Sequence, residues 1–229
     1  MYARFKVVGL GLILAGLVFA GVGGYTYLKT QEGAESLQAF STAQAVELTY
    51  NDEGKLTDRG ETAGAEAIMG LLVNDWGYSV NASELNPNDP LVNTASEYMY
   101  QMATIAYHTL NGTQTIVLDE PVEYQGETFA AGEYEFAVGG RYWSQFDRAH
   151  PIEGPARAAA WTGTAHALIA ELGVGSVTAS VLQMGLGIAA IAAALGLVLI
   201  LAGAGIVWAA RPELATAKAT VRATAPAAA

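Results

Sequence analysis

The 229-residue chain contains no cysteine. Disulfides, thiolate nucleophiles, CxxC redox pairs and cysteine-ligated zinc or iron–sulfur centres are thereby excluded. Charge is also scarce: 14% of residues are charged and 52% are hydrophobic, where an ordinary globular protein carries about 25% charged residues. Basic residues are half as numerous as acidic ones, 11 Lys plus Arg against 22 Asp plus Glu, which makes nucleic acid an unsuitable partner because phosphate contacts need a basic surface. There are three histidines, His108, His150 and His166. None lies three or four residues from another, so the zinc-binding HExxH helix is absent. No GxSxG, P-loop or GxGxxG sequence occurs. Asn51-Asp52-Glu53-Gly54 resembles a calcium loop only until the register is set by Gly54. Thr49 and Gly60 then fall where an EF-hand needs carboxylates, and the run reads as a solvated turn.

What the chain has in abundance is uncharged apolar sequence. Val7 to Leu28 is free of charge, long enough to cross a hydrocarbon core of about 30 Å at about 1.5 Å per residue. Val181 to Ala210 is a second such stretch, interrupted only by Gln183. A cleavable signal peptide is the competing reading of the first, with Val18-Phe19-Ala20 as an acceptable cleavage pattern, but its apolar run exceeds the usual h-region of about 7–15 residues. Tyr2, Phe5, Tyr25, Tyr27 and Trp208 sit at the expected headgroup levels. The charges are divided by region. The ends outside the two runs are net basic, while Lys29 to Gly175 carries 6 basic and 21 acidic residues. Basic flanks stay inside and long loops translocate largely regardless of charge.

The expected organisation is therefore a cytoplasmic segment 1–6, transmembrane helices 7–28 and 181–210, an extracytoplasmic domain 29–180 and a cytoplasmic tail 211–229. Within that tail, residues 215–223 could form a short helix at the inner leaflet. Neither span contains Asp, Glu, Lys, Arg or His, which argues against an ion pathway or proton relay.

Both spans are rich in small residues. Gly16, Ala20 and Gly24 recur at four-residue spacing, as do Gly11 with Ala15, and Gly185, Ala189 and Ala193 in the second span. Such spacing lets helix backbones approach closely in lipid. Gly9, Gly16 and Gly23 form another stripe, repeating every seven residues. The partners of these faces are either the other span of the same chain or neighbouring subunits.

The intervening segment reads as α+β, helices plus a small antiparallel β segment. Ala43 to Tyr50 has strand character, and Thr57 to Asp75 shows apolar residues at helical spacing. A second helix is expected from an Asp89 N-cap and Pro90 onward, ending at Asn111-Gly112. Strands are expected at Gln114–Leu118, Val122–Tyr124, Glu127–Phe129 and Tyr134–Val138, with a turn at Gln125-Gly126. A short helix over Arg141–Arg148 and a longer one over Pro155–Leu172 follow. Fifteen aromatics in this segment are enough for a hydrophobic core.

Gly140 to Gly175 (GRYWSQFDRAHPIEGPARAAAWTGTAHALIAELGVG) resembles a group of actinobacterial two-span membrane proteins. Upstream, QAVELTYNDEGKLTDRGETAGAEAIMGLLVNDWGYSV resembles the same group. The resemblance implies a bacterial cell envelope and carries no activity or catalytic residue with it. Three functions compete on these grounds. The first is a non-catalytic membrane-anchored subunit or accessory factor of a larger assembly or homo-oligomer, with membrane lipid and other subunits as partners and no cofactor or metal. The second is an extracytoplasmic ligand-binding or sensing module, with Tyr142, Trp143, Phe146 and Trp161 lining a cleft. The third is an envelope enzyme using His150 or His166 with Asp147 or Glu153, for which spacing pairs no nucleophile with a base.

Overall fold

The computed structural model describes residues 2–211. It is a mixed α and β structure with small antiparallel sheets and two long apolar helices. The chain divides into two compact units, Met1–Ser36 with Val181–Ala229, and Leu37–Ser180. The short helix expected over residues 215–223 lies outside the described residues.

Two helices dominate the first unit. Helix α1 runs Tyr2–Gln44 and helix α5 runs Gly163–Ala209, both longer than the apolar runs inside them. Each is long and apolar enough to cross a membrane. They pack antiparallel through small residues. A Cβ placed on Gly9 would lie 2.8 Å from the Gly203 carbonyl oxygen, one on Gly16 2.6 Å from that of Gly196, and one on Gly23 2.8 Å from the Ala193 nitrogen. Further along, a Cβ on Gly185 would meet Thr30 Oγ1 at 2.6 Å, and one on Gly33 would meet Leu182 at 2.7 Å. The α1 positions 9, 16, 23 and 30 and the α5 positions 203, 196 and 189 advance in steps of seven. A repeat of 3.5 residues per turn keeps one face on a partner helix throughout, as in a left-handed coiled coil. Missing side chains at that face bring the two backbones into direct contact.

The second unit is assembled around α3, Ala95–Leu110. Its start is a capping box: Thr94 Oγ1 accepts from the Glu97 N–H, and Glu97 Oε2 accepts from the Thr94 N–H at 2.9 Å. The expected start at Asp89-Pro90 is corrected by this geometry. Residues 90–92 are extended instead, with the Leu48 N–H donating to the Pro90 carbonyl at 2.8 Å and the Val92 N–H to that of Val46 at 2.9 Å. That pairing also absorbs most of the strand expected at 43–50. Helix α1 continues to Gln44, and only Thr49–Tyr50 (β1) forms a ladder, with Leu56–Thr57 (β2). Helix α2, Thr62–Gly70, passes into one π-helical turn at Leu71–Asp75.

Strands β3 (Thr113–Leu118) and β6 (Gly132–Ala137) pair antiparallel. Strands β4 (Val122–Tyr124) and β5 (Glu127–Phe129) form a hairpin between them. Its two-residue turn has φ +51° at Gln125 and +85° at Gly126. Positive φ at both central positions is the requirement of a type I′ turn, which glycine meets without strain. The helix expected over Arg141–Arg148 reduces to one turn, Trp143–Gln145. That expected over Pro155–Leu172 is broken into α4, Glu153–Ala160, and the start of α5. Thr162 Oγ1 accepts from the Ala165 N–H at 3.0 Å and so caps a new helix where continuation was expected.

The core of this unit has three parts. Ile68, Leu72, Tyr98, Tyr100 and Ala103 join α2 to α3. Leu71, Leu110, Val138, Phe146 and Trp161 join α3 to the segment after β6. Ile116, Ile152 and Ala156 seat α4 on the sheet.

Candidate functional site

Of the four aromatics expected to line a cleft, the structure buries two. Phe146 and Trp161 are each 6% exposed and belong to the core. Trp161 is held there by an Nε1–H donated to the Arg141 carbonyl at 3.1 Å. Trp143 is covered on one side by the Arg157 guanidinium, 3.8 Å from its ring centre, and on another by the edge of His166. Tyr142 is the exception, because one face stacks on Trp161 with ring centres 5.8 Å apart while the residue stays 38% exposed.

Tyr142 lines a cleft of about 470 Å³ with Leu71, Asp75, Trp76, Tyr107 and Asn111. The other residues of this wall were not picked out from sequence. The π turn carries Asp75 at its last residue and delivers Trp76 directly after it, with the Trp76 N–H donating to the Leu71 carbonyl at 3.0 Å. Such turns are rare and frequent at functional positions. Tyr107 and Asn111 come from the end of α3, with Asn111 Nδ2 donating to the Tyr107 carbonyl at 2.9 Å. Trp76 Nε1 donates to the Tyr142 hydroxyl at 2.8 Å. Two rings from segments 66 residues apart are thereby held in a fixed relation. A sequence signal did exist in Asn74-Asp75-Trp76-Gly77, where an aromatic sits at a helix stop; nothing local ties it to Tyr142.

A smaller cavity of about 220 Å³ lies beside Tyr98, enclosed by Phe40, Val92, Ile105, Leu168 and Leu172. Most of its lining is apolar, and Ser41, Gln44, Gln101 and Glu171 supply its polar side chains.

The histidine and carboxylate candidates fall into separate places. Asp147, His150 and Glu153 close one loop. The Tyr124 hydroxyl donates to Asp147 Oδ2 at 2.6 Å, and the Asp147 N–H to Glu153 Oε2 at 2.8 Å. Glu153 Oε1 also takes Arg141 Nη1 at 2.8 Å. Desolvation pushes the Glu153 carboxyl up, but the Asp147 N–H and the Arg141 guanidinium outweigh it and hold it below the ordinary range. The Asp147 carboxyl is lowered chiefly by the Tyr124 hydroxyl. His150 Nδ1 accepts from the N–H groups of Ile152 and Glu153, capping α4. His166 lies apart, between Trp143 and Trp161. His108 pairs with Asp58 at 2.9 Å. The contacts of Asp147, His150 and Glu153 hold a loop and the start of α4, and the one hydroxyl bonded to them is that of Tyr124, on Asp147. Among the described residues, no three His, Asp or Glu side chains are gathered to hold a metal ion.

The small residues singled out in the apolar helices also separate. Gly16, Ala20, Gly185, Ala189 and Ala193 lie along the contact between α1 and α5, and Ala15 is half-buried. Nothing comes within 4 Å of a Cβ on Gly11, Gly21 or Gly24 of α1, or on Gly187 or Gly205 of α5.

No known protein family, curated protein or solved structure matches this chain.

Proposed function

We propose that the protein is a two-span, non-catalytic membrane protein of a bacterial cell envelope. In this reading residues 7–28 and 181–210 cross the plasma membrane, both termini are cytoplasmic, and residues 29–180 form an extracytoplasmic α+β domain. It acts as a subunit or accessory factor of a larger membrane assembly or as a homo-oligomer. The observation that carries the proposal is the outer surface of the paired helices. Leu14 and Ile191 are 66% and 71% exposed and are surrounded by further bare Leu, Ile and Val, a surface stable in hydrocarbon and not in water. The seam between the helices leaves Gly11, Gly21 and Gly24 uncovered, and small residues on an outer face admit a further helix at close range.

The chain's lack of cysteine makes the topology test clean. Single cysteines replacing Asn88 and Arg4 should react differently with a membrane-impermeant maleimide on intact cells. Asn88→Cys should label directly and Arg4→Cys only after permeabilisation; the opposite pattern overturns the topology. Assembly is tested by mass in mild detergent, where Gly11→Leu and Gly24→Leu should lower the mass of the complex. A lone monomer without a co-purifying partner would defeat that part of the reading.

A second reading, an extracytoplasmic ligand-binding module, is favoured by the cleft beside Tyr142. Its volume of about 470 Å³ lies within the usual range of about 300–1,000 Å³ for small-molecule sites.

A further inference from the structure

The cleft's lining has a chemical bias. Three of its nine lining residues are aromatic, Trp76, Tyr107 and Tyr142, and its one charged lining residue is Asp75. No Lys, Arg or His lines it, and Asp75 forms no ion pair among the described residues. The charge of the whole segment has the same sign, with 6 basic against 21 acidic residues between Lys29 and Gly175. Aromatic faces carry negative charge density and attract cations, most strongly those too large and apolar to be tightly hydrated. A nearby unpaired carboxylate adds a Coulomb term of the same sign. A negative domain raises the local concentration of cations around the cleft.

Two of the three rings, Trp76 and Tyr142, are also held in place before any ligand arrives. Tyr142 is stacked on Trp161, itself anchored in the core, and its hydroxyl accepts from Trp76. Little side-chain freedom is then lost on binding.

We infer that the cleft formed by Asp75, Trp76, Tyr107 and Tyr142 binds a quaternary or similarly alkylated ammonium group. This rests on the second reading above, and it names the ligand class. With no basic residue in the lining, a zwitterion such as glycine betaine leaves its carboxylate unmatched, so a simple cation such as choline binds better. The group could belong to a free solute or to a lipid headgroup.

The test uses the full chain in phosphatidylglycerol nanodiscs, titrated with choline and followed by tryptophan fluorescence and calorimetry. Choline should bind with Kd between about 0.1 and 5 mM. Its neutral carbon isostere, 3,3-dimethylbutan-1-ol, and glucose should each bind at least about fivefold more weakly. Asp75→Asn should weaken choline about three- to tenfold and leave the isostere unchanged. Tyr142→Leu should abolish binding, whereas Tyr142→Phe, which keeps the ring and loses only the hydrogen bond, should retain it. In phosphatidylcholine discs, a lost choline signal identifies a headgroup ligand and an unchanged one a free solute. Equal binding of choline and its isostere, or preference for glucose, overturns the cation assignment while leaving a ligand cleft in place. Failure of every probe to bind overturns both.

Discussion

Replacing Gly16 by alanine adds one methyl group where the two helix backbones touch. Its Cβ would sit 2.6 Å from the Gly196 carbonyl oxygen, 2.8 Å from Ile200 Cγ1 and 2.8 Å from the Ile200 nitrogen. Two of those three atoms are backbone, so a rotamer change at Ile200 cannot relieve the clash. Restoring a contact distance of about 3.5 Å parts the helices locally by about 0.9 Å. Contacts are lost on both sides of the seam, and overpacking of this kind costs about 1–3 kcal/mol. Alanine also favours the helix over glycine by as much as about 1 kcal/mol, which would blur a single measurement. Gly11→Ala removes that ambiguity. It makes the same chemical change on the same helix, yet nothing lies within 4 Å of its Cβ. The difference between the two variants therefore isolates the seam, and Gly16→Ala should be less stable than Gly11→Ala by about 1–3 kcal/mol. On α5 the matched pair is Gly203→Ala, with Gly9 O at 2.5 Å, against Gly205→Ala, with open space. Unfolding by SDS in mixed micelles, read by circular dichroism, measures each difference. Equal midpoints for Gly16→Ala and Gly11→Ala would refute the packing argument.

Three further outcomes follow from the second unit. Tyr98→Phe removes a hydrogen bond of 2.7 Å to Ser41 between two buried residues; it should cost about 1–2 kcal/mol in a denaturant melt, and a change below about 0.3 kcal/mol contradicts the assignment. Arg157 leaves Nε and Nη1 buried without a hydrogen-bond partner while its guanidinium covers Trp143. Arg157→Met trades that desolvation cost against a cation–π contact and should lie within about 1 kcal/mol of the parent, whereas a loss above about 3 kcal/mol would reveal an ionic partner. Burial raises the Glu97 carboxyl above its ordinary range, against lowering by the donors of Asn93 and Thr94. The folded chain then holds that proton more tightly than the unfolded chain, so this contribution to stability declines as pH rises from the unfolded value through the raised folded value. Glu153 acts in the other direction, its lowered value giving stability above the unfolded pKa that is lost as pH falls through the folded one. Melting temperatures from about pH 2 to 8 should show Glu97→Gln removing the first slope and Glu153→Gln the second, which lies at the acid end; slopes unchanged in both would contradict these environments.

Where structure depends on neighbours in sequence, it was legible before any fold was known. The apolar runs, the Gln125-Gly126 hairpin with β4 and β5, and the alternation through Tyr134 and Phe136 each follow from a few adjacent residues. Helix α3 was legible as a helix, but its first turn was not. Pro90 suits a helix start as well as it suits an extended segment, and the choice fell to pairing with Val46 and Leu48, more than 40 residues away. The break at Thr162 was hidden for a related reason, since a capping threonine and a mid-helix threonine look alike until the chain turns.

The candidate sites divide along the same line. Glycine in the apolar helices was so frequent that both a four-residue and a seven-residue stripe could be drawn. Only the partner helix decided which of them touch: Gly9, Gly16 and Gly23 of the seven-residue stripe do, together with Ala20 of the four-residue one, while Gly11 and Gly24 do not. Aromatic residues after β6 suggested a cleft, yet burial took Phe146 and Trp161 into the core and left Tyr142 at the surface. Trp76 and Tyr107 joined it through a π turn and a helix end that no local pattern connects. Composition and periodicity determined which stretches are apolar, charged or helical, because those properties are summed over adjacent residues. Which small residues touch, and which rings share a wall, was decided by tertiary structure, because contact depends on backbone paths that meet only after the chain has closed on itself.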